Sequence, residues 1–397
     1  MNTHVIDNRP SKLGALFLLA VFFPYVSPIP IGSDIQPLAG IFAAFVIGMR
    51  WLETKGYEYK RHLLMLYIPV ILFWYINPIQ DIDIDLGKLV SLIYGSLVFV
   101  AFYYTKHQLT PQFFRCVVLV YFIYTILIFL SPDFFIGLQN HFIRNTNSVD
   151  VMGYRGVSTF STEPGLFGGL LVFFLIVNDY LRLSKRLTFT PYAINFVMIV
   201  SMLLATKSGT GYVYFLAYLG ILGFISVKSI FWRLMIISIL FSGLFFLINS
   251  DLGTSLGRGF HILARLKDPE KLIGADTSIF GRILDFSVAF VSILEFPFGV
   301  GMGDINNSVR HLVNESPYLY HYYGDSTIGL VSSFSNLTVA YGLFFWAYFF
   351  FVFFYCGKTT MMARFFSALF IAISYSSAFP AIWVLLQLKE TTHKEAL

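Results

Sequence analysis

Long apolar stretches that follow one another along the chain limit its fold more than any other feature. Eleven of them stand in the sequence, each close to the ~20 residues that an α-helix needs to cross a bilayer. Charged residues make up 12% of the chain, about half of their share in soluble domains. The sequence therefore predicts an all-α polytopic membrane protein, and excludes a soluble enzyme, a disordered scaffold and a disulfide-rich secreted domain. The stretches lie at 12–30, 36–52, 63–79, 87–105, 114–131, 165–181, 191–206, 211–227, 231–249, 333–356 and 363–388.

One further apolar stretch, 283–298, is short and lies among the charged residues Arg282, Asp285 and Glu295. It is predicted as either a twelfth span or a re-entrant or interfacial helix. The last long stretch contains Pro380, which favours two short helices in place of one. The whole chain is accordingly predicted to form a single integral membrane domain with 11–12 transmembrane helices.

The placement of basic residues predicts the orientation of these helices. With the N-terminus inside, the short inner connections hold 15 Lys and Arg, whereas the short outer ones hold only Lys88 and Lys207. Such an excess is typical of cytoplasmic loops. Two long polar segments, 132–164 and 250–332, then lie on the outer side, and segment 283–298 is favoured as non-spanning. The inner residues are Arg9, Lys12, Arg50, Lys55, Lys60, Arg61, Lys106, Arg115, Arg182, Lys185, Arg186, Lys228, Arg233, Lys358 and Arg364.

Several kinds of site are not expected. The net charge of +5 comes from scattered residues that form no basic tract, so no nucleic-acid partner is predicted. Cys116 and Cys356 are far apart, and His311 and His321 make no convincing ligand pair, so no metal site is predicted either.

Two short segments next to apolar stretches could bind an anion. The first, RGVSTFSTEPG at 155–165, ends in a helix start with Pro164 at its first position. Free N–H groups there attract anions, Arg155 adds charge, and Glu163 could act as an acceptor or base. The second, KSGTG at 207–211, could place Lys207 and a backbone nest against a phosphate. A capped helix start with an Arg–Glu pair and a plain hairpin turn are the alternative interpretations.

Two further segments lie in the long outer region 250–332. Arg282 stands at the mouth of an apolar helix, a costly place for a cation without a partner or a function. The segment YLYHYYGDS at 318–326 combines stacked Tyr side chains, suited to sugar rings, with His321 as a candidate general base. An interfacial Tyr belt with a surface His is the alternative.

The order of these segments resembles the Wzy-type repeat-unit polymerases of O-antigen and capsule synthesis. The resemblance rests on RGxxxFxxEPG at 155–165, SGTG at 208–211, Gly281-Arg282 followed by PxGxGxG at 297–303, and Asn336 through YGLF at 341–344. It covers roughly residues 150–350. At the second segment the family has an Arg where this chain has Gly209, so Lys207 is the expected source of charge.

The related WaaL-type O-antigen ligases share this layout and carry a His-Asn pair shortly before the Gly-Leu of the later helix. Val331 and Ser332 occupy that position here, which favours a polymerase over a ligase. His321 lies about ten residues before the family's position, so it does not match the ligase His.

The resemblance implies a GT-C-like glycosyltransferase in the bacterial inner membrane, with its active site facing the periplasm. It would join undecaprenyl-pyrophosphate-linked oligosaccharides without a cofactor, among membrane lipids and with a possible chain-length regulator. Fixed donors would stabilise the pyrophosphate leaving group. The expected catalytic residues are Glu163, Arg282, Arg155 and His321, and the expected substrate-binding residues are Lys207, Arg258, Arg265 and Asp325.

Three other functions remain open at this point. A ligase would use the same donor and a different acceptor. A lipid-linked oligosaccharide transporter would normally show internal repeats and polar groups near the bilayer midplane, and neither is evident here. A purely structural membrane protein would not need Arg and Glu at helix mouths.

Overall fold

A computed structural model describes the chain in ten ranges: 11–29, 35–54, 60–76, 86–144, 156–226, 277–301, 305–315, 332–355, 359–373 and 376–388, with a few isolated positions. These residues form an all-helical structure. The helices are α1 (Lys12–Phe22), α2 (Leu38–Thr54), α3 (Lys60–Ile76), α4 (Leu86–Thr105), α5 (Pro111–Leu130), α6 (Pro132–Gln139), α7 (Pro164–Leu183), α8 (Phe189–Ala205), α9 (Gly209–Ser226), α10 (Thr277–Glu295), α11 (Ile305–Glu315), α12 (Ser333–Tyr341), α13 (Leu343–Tyr355), α14 (Met361–Ile373) and α15 (Pro380–Leu385).

Two helices, α5 and α7, are long and apolar enough to cross a membrane, with mean hydropathies of 2.4 and 1.7. Local sequence signals set their starts. Pro111 and Pro164 each occupy the first helical position, where the absent N–H costs nothing. The hydroxyl of Thr110 caps α5 by accepting a hydrogen bond from the backbone N–H of Phe113, at 3.2 Å.

Helix α7 is the centre of the described structure, because residues 167–178 are all buried. It runs antiparallel to α5. Tyr121 of α5 stacks on Phe167 near the start of α7, whereas Phe114 contacts Phe174 farther along. This pairing defines two ends of the bundle: the Glu163 end, where α7 begins, and the Arg182 end, where α7 finishes and α5 begins.

Helices α7 and α9 run parallel and approach closely near their starts. A Cβ atom added to Gly168 would lie 2.5 Å from the Cα atom of Gly211, closer than real Cβ contacts. A Cβ atom on Gly211 would lie 3.1 Å from the Cα atom of Gly168, which is also tight. The approach therefore requires glycine at position 168 and favours it at position 211. The N-termini of α7 and α9 therefore lie side by side at the Glu163 end. Helix α8 connects the two along the chain and runs in the opposite direction.

A polar network joins α7, α8 and α9 towards the Arg182 end. The carboxylate of Asp179 accepts hydrogen bonds from the hydroxyls of Tyr192, at 2.9 Å, and Tyr218, at 2.6 Å. The guanidinium of Arg182 lies over the Tyr192 ring, 4.5 Å from its centroid. Because a partly buried carboxylate is costly without donors, the two tyrosines stabilise the packing of the three helices.

Removal of one of these donors should lower stability. Tyr218→Phe leaves one carboxylate oxygen of Asp179 without its hydroxyl donor, which should cost about 1–3 kcal/mol of unfolding free energy. The measurement is thermal unfolding of the purified protein in detergent. Tyr67→Phe is the control, because Tyr67 is 57% exposed. Equal unfolding temperatures for the two variants would show that the network does not stabilise the helices.

The stretch 333–356, expected as one helix, is two helices that meet at Gly342. Gly342 has φ +52°, and the chain of Pro297–Gly301 packs into the break. The N–H of Leu343 donates to the carbonyl of Pro297 at 2.8 Å, while the N–H of Val300 donates to the carbonyl of Val339 at 3.0 Å. At the break, hydrogen bonds within the helix are replaced by hydrogen bonds to the segment Pro297–Gly301.

Other boundaries also differ from the expected spans. Segment 363–388 is two helices, α14 and α15, separated before Pro380 as its sequence suggested. Helices α6 and α11 form within the two long polar segments, where no span was expected. Most of the expected span 231–249 lies outside the described residues.

Candidate functional site

The segment 156–163 lies at the Glu163 end, directly before α7. The N–H of Val157 donates to the carbonyl of Ala205 at 3.1 Å, and the side-chain amide of Gln139 donates to the carbonyl of Ser161 at 3.2 Å. A Cβ on Gly156 would lie 2.3 Å from the carbonyl carbon of Thr206. The segment is therefore held between α6 on one side and the turn that connects α8 to α9 on the other.

Glu163 is exposed, whereas the two residues before it, Ser161 and Thr162, are buried. It occupies the N-cap position of α7, but its side chain makes no capping hydrogen bond. The carboxylate of Glu163 therefore does not cap the helix. An exposed carboxylate at a helix N-terminus is placed to accept a proton or a hydrogen bond from a bound molecule.

Thr162 has a buried hydroxyl for which the described residues offer no hydrogen-bond partner. The residue is only 6% exposed. Buried polar groups are rarely left unsatisfied, and those that are need an explanation such as a bound ligand or water. Thr162 directly precedes Glu163 at the start of α7, so its hydroxyl belongs to the same small region.

The start of α9 lies next to the start of α7. The hydroxyl of Ser208 accepts a hydrogen bond from the N–H of Gly211 at 3.3 Å and so caps α9. A Cβ on Gly165 would lie 3.5 Å from that hydroxyl oxygen. Lys207 comes just before, half-buried and with a backbone φ of +46° that a non-glycine residue rarely adopts. Two helix N-termini and one lysine thus meet at a single place.

The structure brings together two of the residues expected from the sequence, Glu163 and Lys207, on adjoining helix starts. Arg282 lies in α10, and its side chain is outside the described part of the structure. Five other expected residues lie outside the described ranges altogether. They are Arg155, Arg258, Arg265, His321 and Asp325.

Two features of the structure, one at the Glu163 end and one on α10, were not expected from the sequence. The buried hydroxyl of Thr162 is one of them, although its place in the cap segment was visible. The other is Asp285, which is only 1% exposed and accepts a hydrogen bond from the backbone N–H of Ser332 at 2.8 Å. A carboxylate within an apolar stretch is a signal that could have marked Asp285.

No metal-binding group of three or more His, Cys, Asp or Glu side chains occurs among the described residues. His311 instead lies beside Glu315 within α11, with its Nδ1 atom 3.4 Å from a carboxylate oxygen of that residue. The chemistry available at the Glu163 end is therefore that of a carboxylate, a lysine, hydroxyls and helix N-termini. Such a set can bind an anion and accept a proton.

Comparison with known proteins adds no family to this description. No protein-family model matches the chain, and no curated protein matches it either.

Proposed function

We propose that the chain is an integral membrane glycosyltransferase of the repeat-unit polymerase type, acting at the periplasmic face of a bacterial inner membrane. It transfers a growing oligosaccharide from one polyprenyl pyrophosphate carrier to the end of another carrier-linked repeat unit. The observation that carries the proposal is the meeting of Glu163, Lys207 and two helix N-termini at one end of an apolar bundle.

Outward-facing side chains support a membrane location. Ile41, Phe45 and Met49 repeat every four residues on α2 and are exposed, as are Val120 and Ile123 on α5. Soluble monomers rarely expose large contiguous apolar patches. A lipid environment explains these faces, and the two helices long enough to cross a bilayer are consistent with it.

The distribution of charge supports the orientation. Lys12, Lys106 and Arg115 lie at or near helix ends on the Arg182 side of the bundle, where Gln108 also contacts Ser11. Basic residues concentrate on the cytoplasmic side of membrane proteins. The Arg182 end is then cytoplasmic, and the Glu163 end faces the periplasm, where lipid-linked repeat units are joined in the family that the sequence resembles.

The reaction requires the protein to stabilise the leaving group and to accept a proton from the acceptor hydroxyl. The bond between the sugar and the pyrophosphate breaks, so negative charge grows on the leaving pyrophosphate, and a new bond forms to the acceptor hydroxyl oxygen. Lys207 and the N-termini of α7 and α9 stabilise the growing negative charge. Glu163 accepts the proton that the acceptor hydroxyl loses. Arg282 is proposed to add a second cation from α10.

Lys207 offers a test that separates function from stability. Lys207→Gly removes the charge, and glycine suits the positive φ, which offsets the loss of the side chain's contacts, so the unfolding free energy should change by no more than about 1 kcal/mol. Chain elongation should nevertheless fall at least ~10-fold, because the leaving group loses a cation.

The matched control is Lys185→Gly, because Lys185 also has a positive φ, of +56°, and lies at the Arg182 end. It should leave elongation unchanged. Unfolding temperature and polysaccharide chain length are measured for both variants. Equal elongation by the two would remove Lys207 from the site.

The function itself is tested in a host that lacks the gene, with surface polysaccharide separated on a gel. If the protein is a polymerase, the deletion leaves lipid A–core with a single repeat unit, and the wild-type gene restores long chains. Carrier-linked long chains that fail to reach the core would identify a ligase. Absence of both single units and carrier-linked polymer from the outer side would identify a transporter, and an unchanged ladder would refute all three.

A further inference from the structure

The middle of the segment 156–163 is held against α5 in a strained conformation. The hydroxyl oxygens of Thr159 and of Thr125 on α5 lie 2.9 Å apart. The ring of Phe160 stacks on that of Tyr124, also on α5, with 4.2 Å between centroids. Phe160 has φ +50°, in the left-handed region that a non-glycine residue rarely adopts. Such a conformation persists only where the surrounding contacts impose it.

Helix α6 holds the end of this segment, closer to Glu163. The side-chain amide of Gln139 donates to the carbonyl of Ser161 at 3.2 Å, and both residues are buried. Helix α6 is itself fixed to α5, because the hydroxyl of Tyr124 donates to the carbonyl of Phe135 at 2.8 Å. Gln139 therefore extends from a helix that is held in place, and its buried bond is stronger than one that competes with water.

Ser161 connects this bond to Glu163. Its hydroxyl donates to the carbonyl of Glu163, two residues later, at 3.2 Å. As the N-cap of α7, Glu163 has an extended backbone, with φ −143° and ψ 148°, and the helical dihedral angles begin only after it. Its side chain makes no capping hydrogen bond to the helix. The direction in which the carboxylate of Glu163 extends therefore depends on the segment that precedes α7.

We infer that Gln139 is a positioning residue: through Ser161, its hydrogen bond sets the backbone of Glu163 so that the carboxylate meets the acceptor hydroxyl. The inference rests on the proposed function, in which Glu163 is the base. A base must come within about 2.6–3.2 Å of the group whose proton it accepts. Misplacement by about 1 Å can cost ~100-fold in rate. Gln139 is only 4% exposed, so its effect on the reaction passes through the chain.

The first test measures elongation of a lipid-linked repeat unit in membrane vesicles. Gln139→Met keeps the length of the side chain but removes the donor, and its kcat should fall at least ~10-fold with KM unchanged, because Lys207 still binds the pyrophosphate. Ser161→Ala removes the next donor by a smaller change and should give the same pattern. Because both bonds act on one residue, the losses in the double variant should not multiply. An unchanged kcat in either single variant, or losses that multiply, would overturn the inference.

Asn178→Leu is the matched control for the loss of a buried amide. The amide of Asn178 donates to the carbonyl of Tyr192 at 3.1 Å, towards the Arg182 end, and Asn178 is fully buried. The variant should unfold at a lower temperature, while its kcat per folded protein stays close to that of wild type. If this control lost as much kcat as Gln139→Met, the effect would follow stability and not position, and the inference would be wrong.

The second test repeats Gln139→Met in a chain that already carries Glu163→Gln. Since Gln139 acts through the carboxylate, its loss should not lower the residual elongation of that chain any further. A further loss as large as in the wild-type background would show that Gln139 acts by another route and would overturn the inference. Failure of the proposed function is distinguishable, because then the wild-type chain itself does not elongate the carrier-linked unit.

Discussion

Gly168→Leu should prevent the stable packing of α7 against α9. A Cβ at this position lies 2.5 Å from the Cα atom of Gly211, and the clashing atom belongs to the backbone, so it cannot rotate away. The helices must separate, and the N-termini that form the candidate site must separate with them. We expect a loss of at least about 1–3 kcal/mol of unfolding free energy, measured by thermal unfolding in detergent.

Two glycines provide matched controls for this prediction. A Cβ on Gly165, three residues earlier on the same helix, would meet the Ser208 hydroxyl oxygen at 3.5 Å, an ordinary contact distance. A Cβ on Gly48 would meet nothing within 4 Å. Gly165→Ala and Gly48→Ala should therefore unfold close to wild type. If Gly168→Leu unfolds at the same temperature as these controls, α7 and α9 do not approach as described.

Glu163→Gln should abolish long polysaccharide chains while leaving the protein folded. The substitution keeps the size of the side chain but removes its ability to accept a proton, which for a general base costs roughly 10²–10⁴-fold in rate. Stability should change by no more than about 0.5 kcal/mol, because the side chain is exposed and makes no capping bond. Polysaccharide gels report chain length, and thermal unfolding of the purified variant reports stability.

The control for Glu163 is an exposed glutamate at the other end of the bundle. Glu53 pairs with Arg50 at 3.0 Å on α2, remote from the start of α7. Glu53→Gln should leave chain length unchanged. A Glu163→Gln variant that still produced wild-type chains would exclude Glu163 as the base, and the search would move to His321 and Asp325.

Helix starts with local signals could be predicted from the sequence. Pro164 at the first position of α7 and the apolar run behind it mark a helix whatever surrounds them. The break at Gly342 could not be predicted, because a lone glycine in an apolar run is common in membrane helices. The break persists because Pro297 and Val300, more than 35 residues away, supply the replacement hydrogen bonds. That pairing is not a local property of either segment.

The candidate site, too, could be predicted from the sequence only in part. Glu163 and Lys207 were each recognisable as unusual residues beside an apolar stretch. Their proximity follows from the fit of Gly168 against Gly211, which hydropathy does not encode. Asp285 was visible as a charge in an apolar stretch, but it bonds to a backbone N–H, which any residue except proline could supply. Long-range backbone pairing of this kind leaves no mark on the sequence.

The interrupted helix at Gly342 has a consequence for how the protein is made. In a bilayer, peptide groups at a helix break find no water, and each one without a partner costs several kcal/mol. Among the described residues, the carbonyls of Val339 and Ala340 and the N–H of Leu343 pair with the segment Pro297–Gly301, which leaves the ribosome earlier. In the membrane location that we propose, the earlier segment would have to lie near its final depth before the later helix arrives. Insertion of the C-terminal third would then include a docking step as well as partitioning into lipid, and the order of synthesis favours it.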